Sequence, residues 1–258
     1  RVRRPTAADL DSLWGELDVP ARLAKDPLAF VPRDGTPADI EVMAYLAAGL
    51  AMGNVLAIGR SVAKVSASLP ELSVGTAELD GLGHRWVRGA DIAAVVRRLR
   101  ELQVRYGSLE GAFLDGHRPG SIREGLTRLT ELVREGVPQT RGAISLCASP
   151  ADASACKRLN LFLRWVVRPR DGIDLGLWHQ VAPADLVAPL DVHVIAFARR
   201  FGLVTRTVAN WRFAEELTAA FRRLRPSDPL AWDFAISHTG MERGWDSHPG
   251  FPRIRRAA

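Results

Sequence analysis

Lysine is scarce in this 258-residue sequence. Of 35 basic residues only Lys25, Lys64 and Lys157 are lysine, and the rest are arginine. Arginine supplies charge but no uncharged amine, because its guanidinium stays protonated at physiological pH. Chemistry that needs a lysine-type neutral amine is therefore confined to three positions. Cysteine is scarcer still, with Cys147 and Cys156 alone. Two cysteines build no disulfide framework and cannot hold a four-cysteine zinc or iron–sulfur site. Long apolar runs are also missing. The longest candidate, Val42 to Ile58, is interrupted by Gly49, Gly53 and Asn54, and it falls short of the roughly 18 residues that span a bilayer. Arg1-Val2-Arg3-Arg4-Pro5 has no apolar stretch behind it and reads as no signal peptide. The first residue is not Met, so the sequence reads as trimmed. These absences predict a cytoplasmic setting and no membrane partner.

What is present suits a folded chain. Apolar residues make up 47% and charged residues 25%, which argues against disorder. The length suffices to bury a sizeable core. Apolar positions recur at helical spacing almost throughout, with no alternating strand pattern. Pro5-Thr6 opens a helix through about Leu17, with Asp9 completing a capping box. Pro37-Ala38-Asp39 opens a long apolar helix, or two helices broken near Gly53. Asp91 to Arg105 and Ser121 to Arg134 are amphipathic, with arginines opposite the apolar face. Ser149-Pro150-Ala151-Asp152 carries a helix-start signature, and the helix behind it is predicted to run to about Arg168. Asp191 to Phe201, Thr207 to Leu224 and Asp228 to Met241 complete about ten helices. Links are short except for Pro169 to Pro189. The expected architecture is all-α, one compact unit over residues 1–258, with two lobes.

The formal net charge is +6. Arginines cluster at Arg1–Arg4, Arg97-Arg98-Arg100, Arg199-Arg200, Arg222-Arg223-Arg225 and Arg253-Arg255-Arg256. Basic character on a helical chain suits contact with a phosphate backbone. A merely solubilising surface fits the same count.

One constellation joins an amine to a carboxylate. Ala153-Ser-Ala-Cys-Lys157-Arg158-Leu-Asn-Leu-Phe162-Leu-Arg164-Trp165 is followed downstream by Pro189-Leu-Asp191-Val-His193. A carboxylate stabilises positive charge that develops on a sugar, and a neutral amine can capture the sugar carbon as a Schiff base. An ordinary lysine, with pKa about 10.4, is mostly protonated at neutral pH. Burial and the positive end of a helix favour the neutral amine. Read singly, Lys157 is a helix-face residue, Asp191 an N-cap and His193 a packed or surface histidine.

The same segments resemble the helix-hairpin-helix DNA glycosylase superfamily. A Pro-x-Asp-Val-His-type segment carries the essential aspartate of its 8-oxoguanine DNA glycosylases, and a lysine in a preceding helix is their nucleophile. Gly81-Leu-Gly-His84-Arg85-Trp86-Val87 looks like the Gly-Leu-Gly-Tyr-Arg stretch of those enzymes. The spacing from Lys157 to Asp191 looks more like the archaeal type than the eukaryotic one. Over roughly residues 25 to 241 the chain also resembles a bacterial domain-of-unknown-function family. That match rests on Asp26-Pro27-Leu28, Tyr106-Gly-Ser-Leu-Glu110, Cys156-Lys-Arg-Leu-Asn160, Asp174-Leu-Gly-Leu-Trp178 and Trp232-Asp-Phe-Ala235.

The glycosylase resemblance implies a two-lobed helical fold with a degenerate helix-hairpin-helix, because Ala148 to Ala155 holds no glycine. It implies a monomeric base-excision-repair enzyme, active on double-stranded DNA that contains a damaged base such as 8-oxoguanine. Lys157 and Asp191 would be catalytic. Phe162 would stack on the base, and Arg164, Asp233 and Asn54 would contact it, although Phe162, Trp165, Trp178 and Trp232 by themselves read as core aromatics. The aromatic expected between Asp233 and Gly240 is Ser237. His84, Arg85, Arg141, Arg158 and His193 would hold DNA near the nucleoid. No cofactor and no metal are expected. Two rival readings are a non-catalytic nucleic-acid-binding module and a helical protein-interaction scaffold.

Overall fold

A computed structural model describes residues 3–70, 79 and 81–245. Arg1, Arg253, Arg255 and Arg256 of the terminal clusters lie outside the described residues. Twelve α-helices occur among the described residues, together with one hairpin of two-residue strands, β1 (Gly83–His84) and β2 (Val87–Arg88). The chain is all-α. No helix among the described residues is long and apolar enough to cross a membrane.

Local chemistry sets the helix starts. Thr6 and Asp9 form the expected capping box of α1 (Ala7–Gly15). The short α2 (Val19–Leu23) follows, capped by Asp18. The apolar stretch after residue 36 divides into α3 (Pro37–Gly49) and α4 (Val55–Ala67), capped by Thr36 and Asn54. Gly53 has a φ of 97° in the turn between them, a conformation that glycine adopts without strain. After the hairpin come α5 (Gly89–Tyr106), α6 (Leu109–Leu114), α7 (Arg123–Glu135) and α8 (Arg141–Leu146). The helices α2, α6 and α8 are too short to leave a periodic signal in the sequence.

One sequence expectation fails here. Ser149 and Asp152 do form a capping box, but they cap only a single 3-10 turn, Pro150–Asp152. Ala153 and Cys156 then adopt left-handed conformations, with φ of 55° and 48°. That backbone cannot continue a right-handed helix. The helix α9 (Lys157–Val167) therefore begins at Lys157 itself. The rest of the chain adds α10 (Val192–Arg200), α11 (Trp211–Arg222) and α12 (Asp233–Arg243).

The centre of the molecule is α3, buried on every side from Ile40 to Gly49. A helix apolar all round belongs inside a core. It packs against α9, where Tyr45 meets Phe162 edge-on at 5.3 Å. The opposite edge of α9 presents Lys157, Leu161 and Arg164 at helical spacing to a cleft.

The long link after α9 is anchored to the core. The N–H groups of Leu175, Leu177 and Trp178 donate to the carbonyls of Trp165 and Val166. Trp178 packs on Phe162 and Phe113, and its Nε1 donates to Glu41 at 2.6 Å. Glu41 also accepts from Gln103 and from the backbone N–H groups of Leu109 and Glu110. Glu110 in turn accepts from the N–H groups of His179 and Gln180. Two buried carboxylates thus tie α3, α5, α6 and the link together. Burial pushes the Glu41 carboxyl above its usual range, opposed by its four donors.

Glu41→Ala strands these four buried donors, and each unsatisfied group costs about 1–3 kcal/mol before relaxation. We expect a loss of ~3–5 kcal/mol, read as a fall in melting temperature of roughly 10 °C. Glu41→Gln retains one acceptor oxygen and should lose less in the same melting experiment.

Candidate functional site

The cleft has a volume of about 450 Å³ and lies between the exposed edge of α9 and one face of α12. Lys157, Leu161 and Arg164 form one wall, and Asp233, Ser237 and Met241, spaced a helical turn apart, form the other. The turn from Ala51 to Gly53, Asp26 and the Pro189–Asp191 stretch close the ends. Of the expected site residues, Lys157, Asp191, Arg164, Asp233 and Arg158 line this space.

Lys157 is half-buried and has no hydrogen bond or ion pair to other described residues. It is the first residue of α9, whose N-cap, Cys156, supplies no side-chain acceptor. Asp191 caps α10. Its Oδ1 accepts the N–H groups of His193 and Val194, each at 2.7 Å, and its Oδ2 accepts the Ser237 hydroxyl. An amine without a partner among the described residues and a carboxylate held on both oxygens therefore face one space.

Beneath them lies a chain of buried charges. Arg164 donates to Asp233 at 2.8 Å and pairs with Asp174 at 3.3 Å. Arg168 bridges Asp174 to Asp228. Burial works against the charge of Arg164, but Asp174 and Asp233 more than offset it and hold its value above that of an ordinary arginine. Burial pushes the Asp233 carboxyl up to about 6 against the pull of Arg164, and Asp191 and Asp174 add to the rise. Asp233 Oδ1 is buried and accepts no hydrogen bond from the protein. A ligand bearing an N–H donor would satisfy it. The contact expected of Arg164 needs correction, since it reaches the cleft mainly as the counter-ion of Asp233.

Other expectations are corrected more sharply. Phe162 is fully buried between Tyr45 and Trp178, on the far side of α9 from the cleft, with no face open for stacking on a base. His84 is buried in structural contacts. Its Nε2 meets the Met52 carbonyl at 3.0 Å, which requires that nitrogen to donate, and its Nδ1 then accepts from Ser61. Arg158 donates to the carbonyls of Gly49 and Ser145 at 2.7 and 2.6 Å, so its guanidinium is spent inside the protein. Asn54 caps α4 with its side-chain oxygen and faces an adjoining depression, outside the main cleft. His193 sits against Gly240 beneath α10 and does not line the cleft.

Arg85 and Arg141 remain exposed. Arg85 occupies the hairpin turn with a φ of 56°, and its guanidinium lies against Gly53. Arg141 stacks over Trp86 at 4.6 Å, and Trp86 lies on the rim of the cleft. The depression beyond this rim is lined by Arg60, Lys64 and Arg85, with no carboxylate among the described residues of its lining.

Sequence reasoning passed over several lining residues. Asp26 accepts from His238 at 3.0 Å inside the cleft, and His238 lies against Phe234. Ser237 was expected to be an aromatic position, and its hydroxyl holds Asp191 instead. Asp26, Asp174 and Asp233 all lie in the short segments that carried the whole-chain resemblance. No group of three His, Cys, Asp or Glu able to hold a metal occurs among the described residues.

A family model described as "Protein of unknown function (DUF2400)" matches residues 26–242. No curated protein and no solved structure matches the chain.

The raised Asp233 carboxyl has a consequence for stability. Its folded value of about 6 lies above the unfolded value of about 3.8, so between these limits the folded state binds the extra proton. This term is stabilising below about pH 4 and is lost as pH rises to about 6. Asp233→Asn removes it. Urea midpoints measured from pH 4 to 7 should show the parent losing ~1–3 kcal/mol more than the variant across that window. Parallel pH profiles would sink this assignment.

Proposed function

Because the chain belongs to that family, whose description assigns no activity, we propose a function from the site itself: a base-excision DNA glycosylase with AP lyase activity, acting on an oxidised purine such as 8-oxoguanine. The observation that carries this reading is the placing of Lys157 and Asp191 on one cleft of about 450 Å³, a size typical of small-ligand sites. The base is extruded from double-stranded DNA into this cleft. The glycosidic bond from C1′ to the base breaks, and its electron pair leaves with the base. Positive charge develops on the sugar, and the Asp191 carboxylate stabilises it. Nζ of Lys157 attacks C1′ and passes a proton to the departing base, and opening of the sugar ring gives a Schiff base. Loss of a 2′ proton then expels the 3′ phosphate and nicks the strand.

Two further features support this reading. Among the described residues, no partner competes for the amine of Lys157. The rim carries Arg85, Arg141 and the half-exposed Trp86, a mixture suited to phosphate and base contact. A monomeric protein near the nucleoid is the corresponding cellular picture. Rim contacts alone would also serve a non-catalytic nucleic-acid-binding protein, so the decisive test is covalent.

Borohydride treatment of the protein with an 8-oxoguanine duplex should trap a protein–DNA adduct. Lys157→Gln should trap none while still binding the duplex. Asp191→Asn should slow base release by on the order of 10²–10³-fold. Trapping by Lys157→Gln at the parental level would overturn the mechanism. Salt-sensitive binding with no turnover on any lesion would favour the non-catalytic reading.

The rim makes a separate prediction. Arg85→Ala and Arg141→Ala should each lower the slope of log affinity against log salt by roughly 1. Arg158→Ala should leave that slope unchanged, because its guanidinium is held by two backbone carbonyls. Binding titrations from 50 to 200 mM salt read the difference.

A further inference from the structure

We propose that Ser237 is a positioning residue for the Asp191 carboxylate, an inference that rests on the reading of Asp191 as the group that stabilises the developing sugar cation. The two backbone N–H groups at the start of α10 both bind Oδ1. They pin one oxygen and leave the plane of the carboxylate free to turn about it. The Ser237 hydroxyl donates to the other oxygen and fixes that plane. Asp191 and Asp233 place two carboxyl groups on one cleft, and Asp191 adds to the upward push on the Asp233 carboxyl. Without the hydroxyl, no hydrogen bond from a described residue holds Oδ2 of Asp191.

The reach of so short a side chain depends on how closely α10 and α12 approach. Position 240 is glycine, and a Cβ there would come within 2.7 Å of the His193 Cβ and 2.8 Å of Trp245 Nε1. Gly240 thus lets the two helices approach closely, and Ser237, three residues earlier on α12, spans the gap to the cap of α10. Ser237 also lies one turn after Asp233 on the cleft-facing side. The spacing Asp233, Ser237, Gly240 therefore combines a buried acceptor, a positioning hydroxyl and the contact that brings the helices together.

The test uses the full chain with Ser237→Ala and Ser237→Thr. Under single-turnover conditions on the 8-oxoguanine duplex, Ser237→Ala should slow base release about tenfold, with duplex affinity changed by less than about twofold. Ser237→Thr keeps the hydroxyl and should restore most of the rate. Amide spectra give a readout independent of catalysis, because the His193 and Val194 signals should shift in Ser237→Ala and return in Ser237→Thr. A parental rate in Ser237→Ala, or equal loss in both variants, would overturn the proposal. If the parent itself releases no base and traps no adduct, the glycosylase reading falls. The amides then decide positioning alone, and unmoved His193 and Val194 signals would overturn it.

Discussion

The buried guanidinium of Arg164 is the constraint around which the site is built. It lies in the last turns of α9 and is almost wholly removed from water. Taking a charge out of water is costly, and a buried ion pair adds little net stability over a well-packed apolar replacement. Losing one partner is different, because it leaves an uncompensated charge inside. The charge of Arg164 is balanced by Asp174 of the link and Asp233 of α12 together. Three segments far apart in sequence are thereby held in one arrangement. The link returns along the end of α9, α12 begins beneath the cleft, and Asp233 is drawn to the floor beside Asp191.

The remaining contacts follow from that arrangement. Arg168 extends the alternation of charges through Asp174 to Asp228, just before α12. Glu41 and Glu110 secure the other side of the link through Trp178 and the backbone of residues 179 and 180. The cleft is thus an open space with a fixed floor. Its walls carry side chains with uncommitted atoms, among them the amine of Lys157 and one oxygen of Asp233.

Much of this was legible in the sequence. The helix starts announced by Thr6 with Asp9 and by Asp191 lie where their chemistry places them, whereas those expected at Thr207 and Asp228 fall at Trp211 and Asp233. The failures are physical and specific. Ser149 to Asp152 has every mark of a helix start, yet a left-handed alanine ends the turn, and a non-glycine residue in that conformation leaves no signature. The hairpin at Gly83–Arg88 is too short for any alternation. Phe162 was within reach of sequence reasoning and was misplaced. It stands five residues after Lys157, about 140° around an α-helix, and so belongs to the opposite face. The roles of Arg158 and His84 were not legible, since their partners are backbone carbonyls and a serine from other segments. Ser237 was visible only as a departure from an expected aromatic.

The contacts of Arg158 bear on the order of two neighbouring residues. Gly49 ends α3 and Ser145 lies in the last turn of α8, so Arg158 offers a planar fork to the negative ends of two helices at once. An ammonium group is a point donor on a flexible stem and does not reproduce that fork. Lys157 and Arg158 are thus not two instances of one basic property. Exchanging them would leave composition, net charge and helix propensity untouched. It would still deprive the junction of its fork and put a permanently protonated group where the cleft presents an amine. In this chain, function at that point resides in permutation rather than in content.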